Sequence, residues 1–359
     1  MDKILTVVVP TYNMEKYLAY CLDSLCVNQG QDNLEVLIVN DGSKDASSAI
    51  AHEYETRFPQ IFKVIDKENG NYGSCVNRGL AEAHGKYIKI LDADDSFDTV
   101  NFERFIAFLK ETDTDLILSD FAVVDTGRKI RKIIRYKLGE GIQFEMDKIC
   151  NTHVFKNMQM HAVTYRRENL LQLNYKQTEG ISYTDQQWIF IPMITVKSVA
   201  YFGAYVYKYL VGRAGQTMDP QVRFKYISNI QRCALDMAKA YEQYKSLFEK
   251  KAVQTYLQAR MIPFVKEVYV FLLTHYNETM KKLLTDFDKD LKEASRDIYG
   301  LIGSKEVSSF KGFEYITYWR NHKDVNKGAV KFFSQAYLLL LCMKQIRKSE
   351  DEMALPSIF

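Results

Sequence analysis

The sequence predicts an α/β fold followed by a mostly helical C-terminal region. Three observations carry this reading. Short apolar, β-branched runs alternate with amphipathic helical stretches through about residue 120; each run stops at a polar or glycine-bearing turn; and beyond about residue 222 helical stripes take over. The first run, 4–9, ends at Pro10-Thr11-Tyr12-Asn13, and a helical face of Tyr17, Leu18, Cys21, Leu22 and Leu25 follows. The second, Val36–Val39, ends at Asn40-Asp41-Gly42-Ser43, after which Asp45 is a helix N-cap candidate for a helix reaching about Phe58. A third, Phe62–Ile65, leads into Asn69-Gly70-Asn71-Tyr72-Gly73 and a helix using Val76, Leu80 and Ala83. A fourth runs from Lys86 to Leu91, then a helix marked by Phe102, Phe105, Ile106 and Leu109, then a strand over Asp115–Ser119.

Strands that alternate with helices at this spacing predict βαβ units and a parallel sheet covered on both faces. Ligands of such sheets bind beyond the carboxyl ends of the strands. Thr11–Asn13, Asp41, Asn71 and Asp92–Asp95 all fall just past a predicted strand, so four polar turns converge on one edge.

The fourth turn is the most demanding. Asp92, Asp94 and Asp95 place three carboxylates within four residues, and like charges that close repel unless something positive lies between them. A divalent cation such as Mg²⁺ or Mn²⁺ answers that need, taking one or two carboxylates plus substrate phosphates. The plainer reading is that Asp94, Asp95 or Asp98 caps the next helix. Neither G-x-G-x-x-G nor G-x-x-x-x-G-K-[ST] follows a strand, so neither a dinucleotide fingerprint nor a P-loop is present. A diphosphate gripped through a metal fits what remains.

Bulk properties narrow the partners. The 359 residues suffice for about two domains, and 47% apolar composition supports a sizeable core. A net charge of +3 gives no case for nucleic acid. Six scattered cysteines lack zinc or disulfide spacing, as expected of reduced thiols in a cytoplasmic protein. There is no leader-like segment, and the longest apolar run, Ala336 to Met343, is too short to span a bilayer.

Val7-Val8-Val9-Pro10-Thr11-Tyr12-Asn13, Val39-Asn40-Asp41-Gly42-Ser43 and Leu91-Asp92-Ala93-Asp94-Asp95 together resemble the family 2 glycosyltransferases of the GT-A fold, closely over about 120 residues and loosely to about 220. The resemblance implies a Rossmann-like nucleotide-sugar-binding half, 1–120, and an acceptor half, 121–222. It implies a UDP-sugar donor held by Pro10, Thr11, Tyr12, Asn13, Asp41, Asn71, Gly73, Asp92, Ala93, Asp94 and Arg213. In this reading Tyr12 stacks on uracil, Asp41 accepts from the ring N–H, and Asp92 with Asp94 holds Mn²⁺ or Mg²⁺. The family carries an acidic base, often as Glu-Asp, at a later helix start. Here the pair is Thr184-Asp185, so the role passes to Asp185, which is also a candidate first-turn residue stabilising the helix dipole. An inverting transfer needs such a base near the acceptor hydroxyl, opposite the leaving diphosphate. Tyr207–Thr217 resembles the family's tyrosine-rich strand and Arg-x-Gly loop, with Gln216 where serine is usual. His161 is either a core histidine or an acceptor contact.

The expected product is a capsule, exopolysaccharide or cell-wall glycan, built on a glycan or lipid-linked acceptor. A sugar nucleotidyltransferase and a non-catalytic nucleotide-sugar-binding partner of a glycan-synthesis complex are the alternatives. Arg128–Tyr136 alternates basic and apolar residues, as an edge hairpin or a flap would. In the helical region, 223–359, stripes such as Ile227, Ile230, Ala234, Met237 and Ala238 read as core. The final helix pairs Tyr337–Leu341 with Lys344, Arg347 and Lys348, a pattern open to peripheral contact with a membrane, packing on its neighbours or homo-oligomerisation.

Overall fold

A computed structural model describes residues 3–213 and 227–323, apart from 157, 249 and 311. The C-terminal basic helix and the Gly215–Thr217 part of the arginine loop lie outside the described residues. The chain divides into two compact units, Met1–Gln216 with Leu247–Gln254, and Thr217–Ser246 with Thr255–Phe359. Leu247–Gln254 groups with the first unit. Asn151 Nδ2 donates to the Ala252 carbonyl there at 3.0 Å.

The first unit is built on one ten-stranded sheet: β1 (Leu5–Thr11), β2 (Leu34–Asn40), β3 (Phe62–Asp66), β4 (Tyr87–Ile90), β5 (Ser96–Phe97), β6 (Leu116–Val124), β7 (Ile130–Ile134), β8 (Gln143–Glu145), β9 (Val163–Arg166) and β10 (Ser198–Leu210). Its order is β3-β2-β1-β4-β9-β6-β10-β5, with β7 on β6 and β8 on β10. β3, β2, β1 and β4 run parallel, joined through helices α1 (Leu18–Asp23), α2 (Ser47–Arg57) and α3 (Asn71–Glu82). Every residue of β1 and all but one of β2 are buried, as expected of strands covered on both faces.

Past β4 the sheet becomes mixed. β9 pairs antiparallel with both β4 and β6, and the long β10 lies parallel to β6 and antiparallel to β5 and β8. The reason is connectivity: β9 returns from the acceptor half into the middle of the sheet, a long-range pairing that local periodicity does not record. Helix α4 (Thr99–Glu111) follows the acidic turn, with Phe102, Phe105, Ile106 and Leu109 buried. Its N-cap is Asp98, which accepts from the Asn101 N–H at 3.1 Å. One capping candidate is thus a cap, which frees the other two for a different account.

The second unit is helical: Ile227–Tyr244, Lys251–Thr274, Glu278–Ala294, Arg296–Gly303 and Tyr315–His322 are its main helices, the second of them starting in the first unit. The stripes read as core are core, Ile227, Ile230, Ala234, Met237 and Ala238 being buried. Its buried charge is matched: Asp288 accepts from Tyr269 and Arg320 at 2.7 Å each. No helix among the described residues is long and apolar enough to cross a membrane.

Candidate active site at the carboxyl edge of the sheet

The turn after β2 is built around Asp41, which is 2% exposed. Its carboxylate accepts from the Gly70 and Asn71 N–H groups, at 2.9 Å each, and from Lys67 Nζ at 2.5 Å. Its own N–H donates to the Thr11 carbonyl at 2.8 Å. Asp41 therefore ties the first three strand ends together before any ligand arrives. Asn71 (φ 70°) and Asn13 (φ 53°) take left-handed conformations, which asparagine tolerates better than most residues. Asn13 Oδ1 accepts from the Lys44 N–H at 2.8 Å, joining the first two turns. Tyr12 stands 45% exposed beside them, whereas Pro10 lies buried inside β1 and Ala93 is buried in its turn.

Gly73 does not line open space. A Cβ there would meet the Thr178 carbonyl oxygen at 2.2 Å, so the backbone that approaches this glycine is the protein's own. The missing side chain lets the segment through Thr178 pack against α3.

The acidic turn divides its labour. Asp95 is fully buried and structural: it accepts from Tyr207 Oη and the Leu210 N–H, at 2.6 Å each, fixing the turn to β10. Burial, together with the charges of Asp94 and Asp92, pushes its carboxyl well above the ordinary value. Asp92 accepts from Tyr72 Oη at 2.7 Å. Burial and the charge of Asp94 push its carboxyl up to about 7, with a further push from Asp185. Asp94 is ion-paired with Arg213, whose guanidinium lies 5.7 Å from the Tyr17 ring centroid. Arg128 donates to the Asp94 carbonyl at 3.0 Å and sits 4.2 Å from the Tyr20 ring centroid.

Asp185 opens the short helix Asp185–Trp188, and its charge reaches Asp92, Tyr72 and Tyr209, raising the pKa of each. The fold thus brings Asp185 to the acidic turn across about 90 residues of sequence. Neighbouring Gln187, 1% exposed, accepts from the Thr178 N–H at 2.9 Å and donates to Thr178 Oγ1 at 2.8 Å. The 177–180 segment is in turn laced to the donor-side turn. Gly180 N–H donates to the Gly70 carbonyl at 2.9 Å, and Asn77 exchanges hydrogen bonds with Gln177 at 2.8 and 2.9 Å.

His161 is a core residue. It is 7% exposed, its ring 4.3 Å from that of Tyr209 and 4.7 Å from that of Tyr207, and burial pulls its pKa down to about 3. Lys89, buried inside β4, donates to the His161 and Val163 carbonyls at 2.9 and 3.2 Å, and burial lowers its pKa to about 7. Sequence reasoning missed Lys67, Tyr72, Arg128 and Gln187 as parts of this edge. Tyr72, which stands between Asn71 and Gly73, and Arg128, which opens the alternating segment Arg128–Tyr136, carried a signal.

Among the described residues no group of three or more His, Cys, Asp or Glu side chains is placed to hold a metal by itself. Two carboxylates with substrate phosphates are what Mg²⁺ or Mn²⁺ ordinarily takes. Asp92 and Asp94 fit that donor set: both offer only hard oxygen, and the burial and nearby Asp94 charge that raise the pKa of Asp92 are what a cation offsets.

Residues 6–174 match the family model described as glycosyl transferase family 2. EpsH of Bacillus subtilis (strain 168) is 40% identical over 125 residues, 34% of this chain and 36% of its own length. The minor teichoic acid biosynthesis protein GgaB of the same strain is 38% identical over 108 residues, 30% of this chain and 12% of its own length. The chain thus spans little more than a third of EpsH and far less of GgaB. Among solved structures, S. aureus TarS 1–349 in complex with UDP-GlcNAc superposes with a TM-score of 0.54 at 18% identity, covering 83% of this chain and 90% of that one. The strand order, the three strand-end motifs and these matches agree: residues 6–174 match glycosyl transferase family 2, and the chain has the GT-A type of fold.

Proposed function

We propose that the protein transfers a sugar, with inversion, from a UDP-sugar to a hydroxyl of a glycan acceptor during polysaccharide or cell-wall glycan synthesis. What supports this is that Asp185 lies near enough to the Asp92–Asp94 turn for its charge to raise the pKa of Asp92. The UDP-GlcNAc complex of TarS, on the same fold, and the naming of GgaB for teichoic acid biosynthesis support the donor and product classes.

Tyr12, exposed at the rim, offers a ring face for uracil, and Asp41 offers the remaining lone pairs of a preorganised carboxylate. Asp94 and Asp92 would hold Mn²⁺ or Mg²⁺. The ion supplies Lewis-acid stabilisation of charge on the departing diphosphate. Arg213, paired with Asp94, supplies a planar donor fork on the same side. Asp185 takes the proton from the acceptor hydroxyl as it attacks, and the Gln187–Thr178 pair fixes the helix that carries it. Tyr72 Oη donates to Asp92 and so orients the carboxylate toward the crevice.

The test is UDP release from UDP-Glc, UDP-Gal, UDP-GlcNAc and UDP-GalNAc, each with and without Mn²⁺. Turnover of at least one donor, dependent on metal, is expected. UDP binding without release from any of them, whatever the acceptor, would instead favour a binding partner of other glycan enzymes.

A further inference from the structure

The geometry points to an acceptor that is a polyanion, a glycan or polyol carrying phosphodiester groups, guided to the site along the β6–β7 hairpin. This rests on the glycosyltransferase reading for its chemistry, and on the hairpin for its charge.

Residues 128–137 hold six cations, Arg128, Lys129, Arg131, Lys132, Arg135 and Lys137, and no acid. The whole chain carries only +3, so taking away these six leaves the other residues three charges negative. The segment is thus far denser in cations than the chain as a whole. β7 pairs antiparallel with the last part of β6, Phe121–Val124, which is the half nearest the carboxyl edge. Among the described residues β6 is its sole strand partner. Lys129, Ile130, Arg131, Arg135 and Lys137 are exposed.

The hairpin tip is fastened to the site. Arg128, in a left-handed turn at φ 61°, reaches the Asp94 carbonyl at 3.0 Å and covers Tyr20. The turn itself is fixed by Asp125, whose carboxylate accepts from the Gly127 and Lys129 N–H groups at 3.0 Å each and pairs with Arg131. A rigid basic strand thus starts at the metal-binding turn and leads away from it. A chain of phosphates lying along it is attracted over its whole length, while the hydroxyl at its end meets Asp185.

Lysine on an edge strand also serves simply to block edge-to-edge pairing. That role needs one or two charges of either sign. Six of one sign, with the tip anchored to the site, exceed it.

The triple variant Lys129→Gln/Lys132→Gln/Arg135→Gln leaves the anchoring residues Arg128 and Arg131 in place. Calorimetry would compare a synthetic glycerol-phosphate hexamer with maltohexaose at 50 and 200 mM salt, using the full chain. Wild type is expected to bind the hexamer and not the neutral sugar, weakening with salt. The variant is expected to lose about tenfold in affinity, with a shallower salt slope. UDP affinity, read in the same samples, is expected to stay unchanged. The inference is overturned by equal hexamer binding in the variant, by equal binding of maltohexaose, or by a variant that only aggregates while binding normally. It is also overturned if the wild type ignores the hexamer but binds vesicles of phosphatidylcholine with 30% phosphatidylglycerol, since a membrane would then be the partner. Absence of UDP binding with intact hexamer binding would instead strike the glycosyltransferase reading and leave the polyanion surface standing.

Discussion

Two carboxylates leave the same edge of the sheet and meet opposite fates. Asp41, at the end of β2, is met by two backbone N–H groups and Lys67. Asp92, after β4, is met by one tyrosine hydroxyl and by further acids, and its carboxyl is pushed up to about 7. One charge is matched by the fold; the other is left in excess. The difference teaches where the protein holds itself together and where it expects a cation and a substrate.

The largest effect should come from breaking the unmatched side. Asp94→Ala should lower metal-dependent transfer on the order of 1,000-fold, measured as UDP release with acceptor, because charge developing on the diphosphate loses its grip. Asp185→Asn should lower transfer on the order of 100- to 10,000-fold and leave UDP affinity within a factor of two. Full transfer in the asparagine variant would remove Asp185 from the mechanism.

Stability should sort the same two carboxylates in opposite directions. Asp41→Asn leaves Lys67 and two N–H groups facing a neutral amide, and should cost about 3 kcal/mol in denaturant unfolding. Asp92→Asn relieves a repulsion and keeps an oxygen for Tyr72, so the metal-free variant should melt a few degrees above wild type. If both variants fell equally, the contrast would be wrong.

The remaining effect, a pH dependence, concerns a third charge, which is buried. Lys89 donates to the His161 and Val163 carbonyls and to the Thr164 hydroxyl, and burial brings its pKa from the ordinary 10.5 down to about 7. Between those values the unfolded chain binds a proton that the folded chain lacks, so wild-type stability rises with pH across that window. Lys89→Met removes this slope. The stability of wild type relative to the variant should therefore grow from pH 7 to pH 9.5 in parallel unfolding curves, and a constant difference would contradict it.

Much of this was legible in the chain. The β1 to β4 runs, the polar turns after them and the capping signal at Asp98 are local, and local pattern locates them. Asp185 was reached only through resemblance, because nothing in Thr184-Asp185 itself distinguishes a base from a first-turn acid. What escaped was long-range. That Gly73 serves Thr178, that Asp95 holds Leu210, and that β9 enters antiparallel between β4 and β6 are facts of pairing across about 45 to 115 residues. Lys89 looked like an ordinary strand residue because its nearer partners are backbone carbonyls, which leave no trace in composition.

The most direct test of the account is a calorimetric titration of UDP into wild type and Asp94→Ala, each in Mn²⁺ and again in excess chelator. Wild type should bind at least tenfold more tightly with Mn²⁺ than with chelator, and the variant should bind equally weakly in both. Metal-independent UDP binding in wild type, or a full Mn²⁺ effect in Asp94→Ala, would contradict the claim that the acidic strand end grips the diphosphate through a metal.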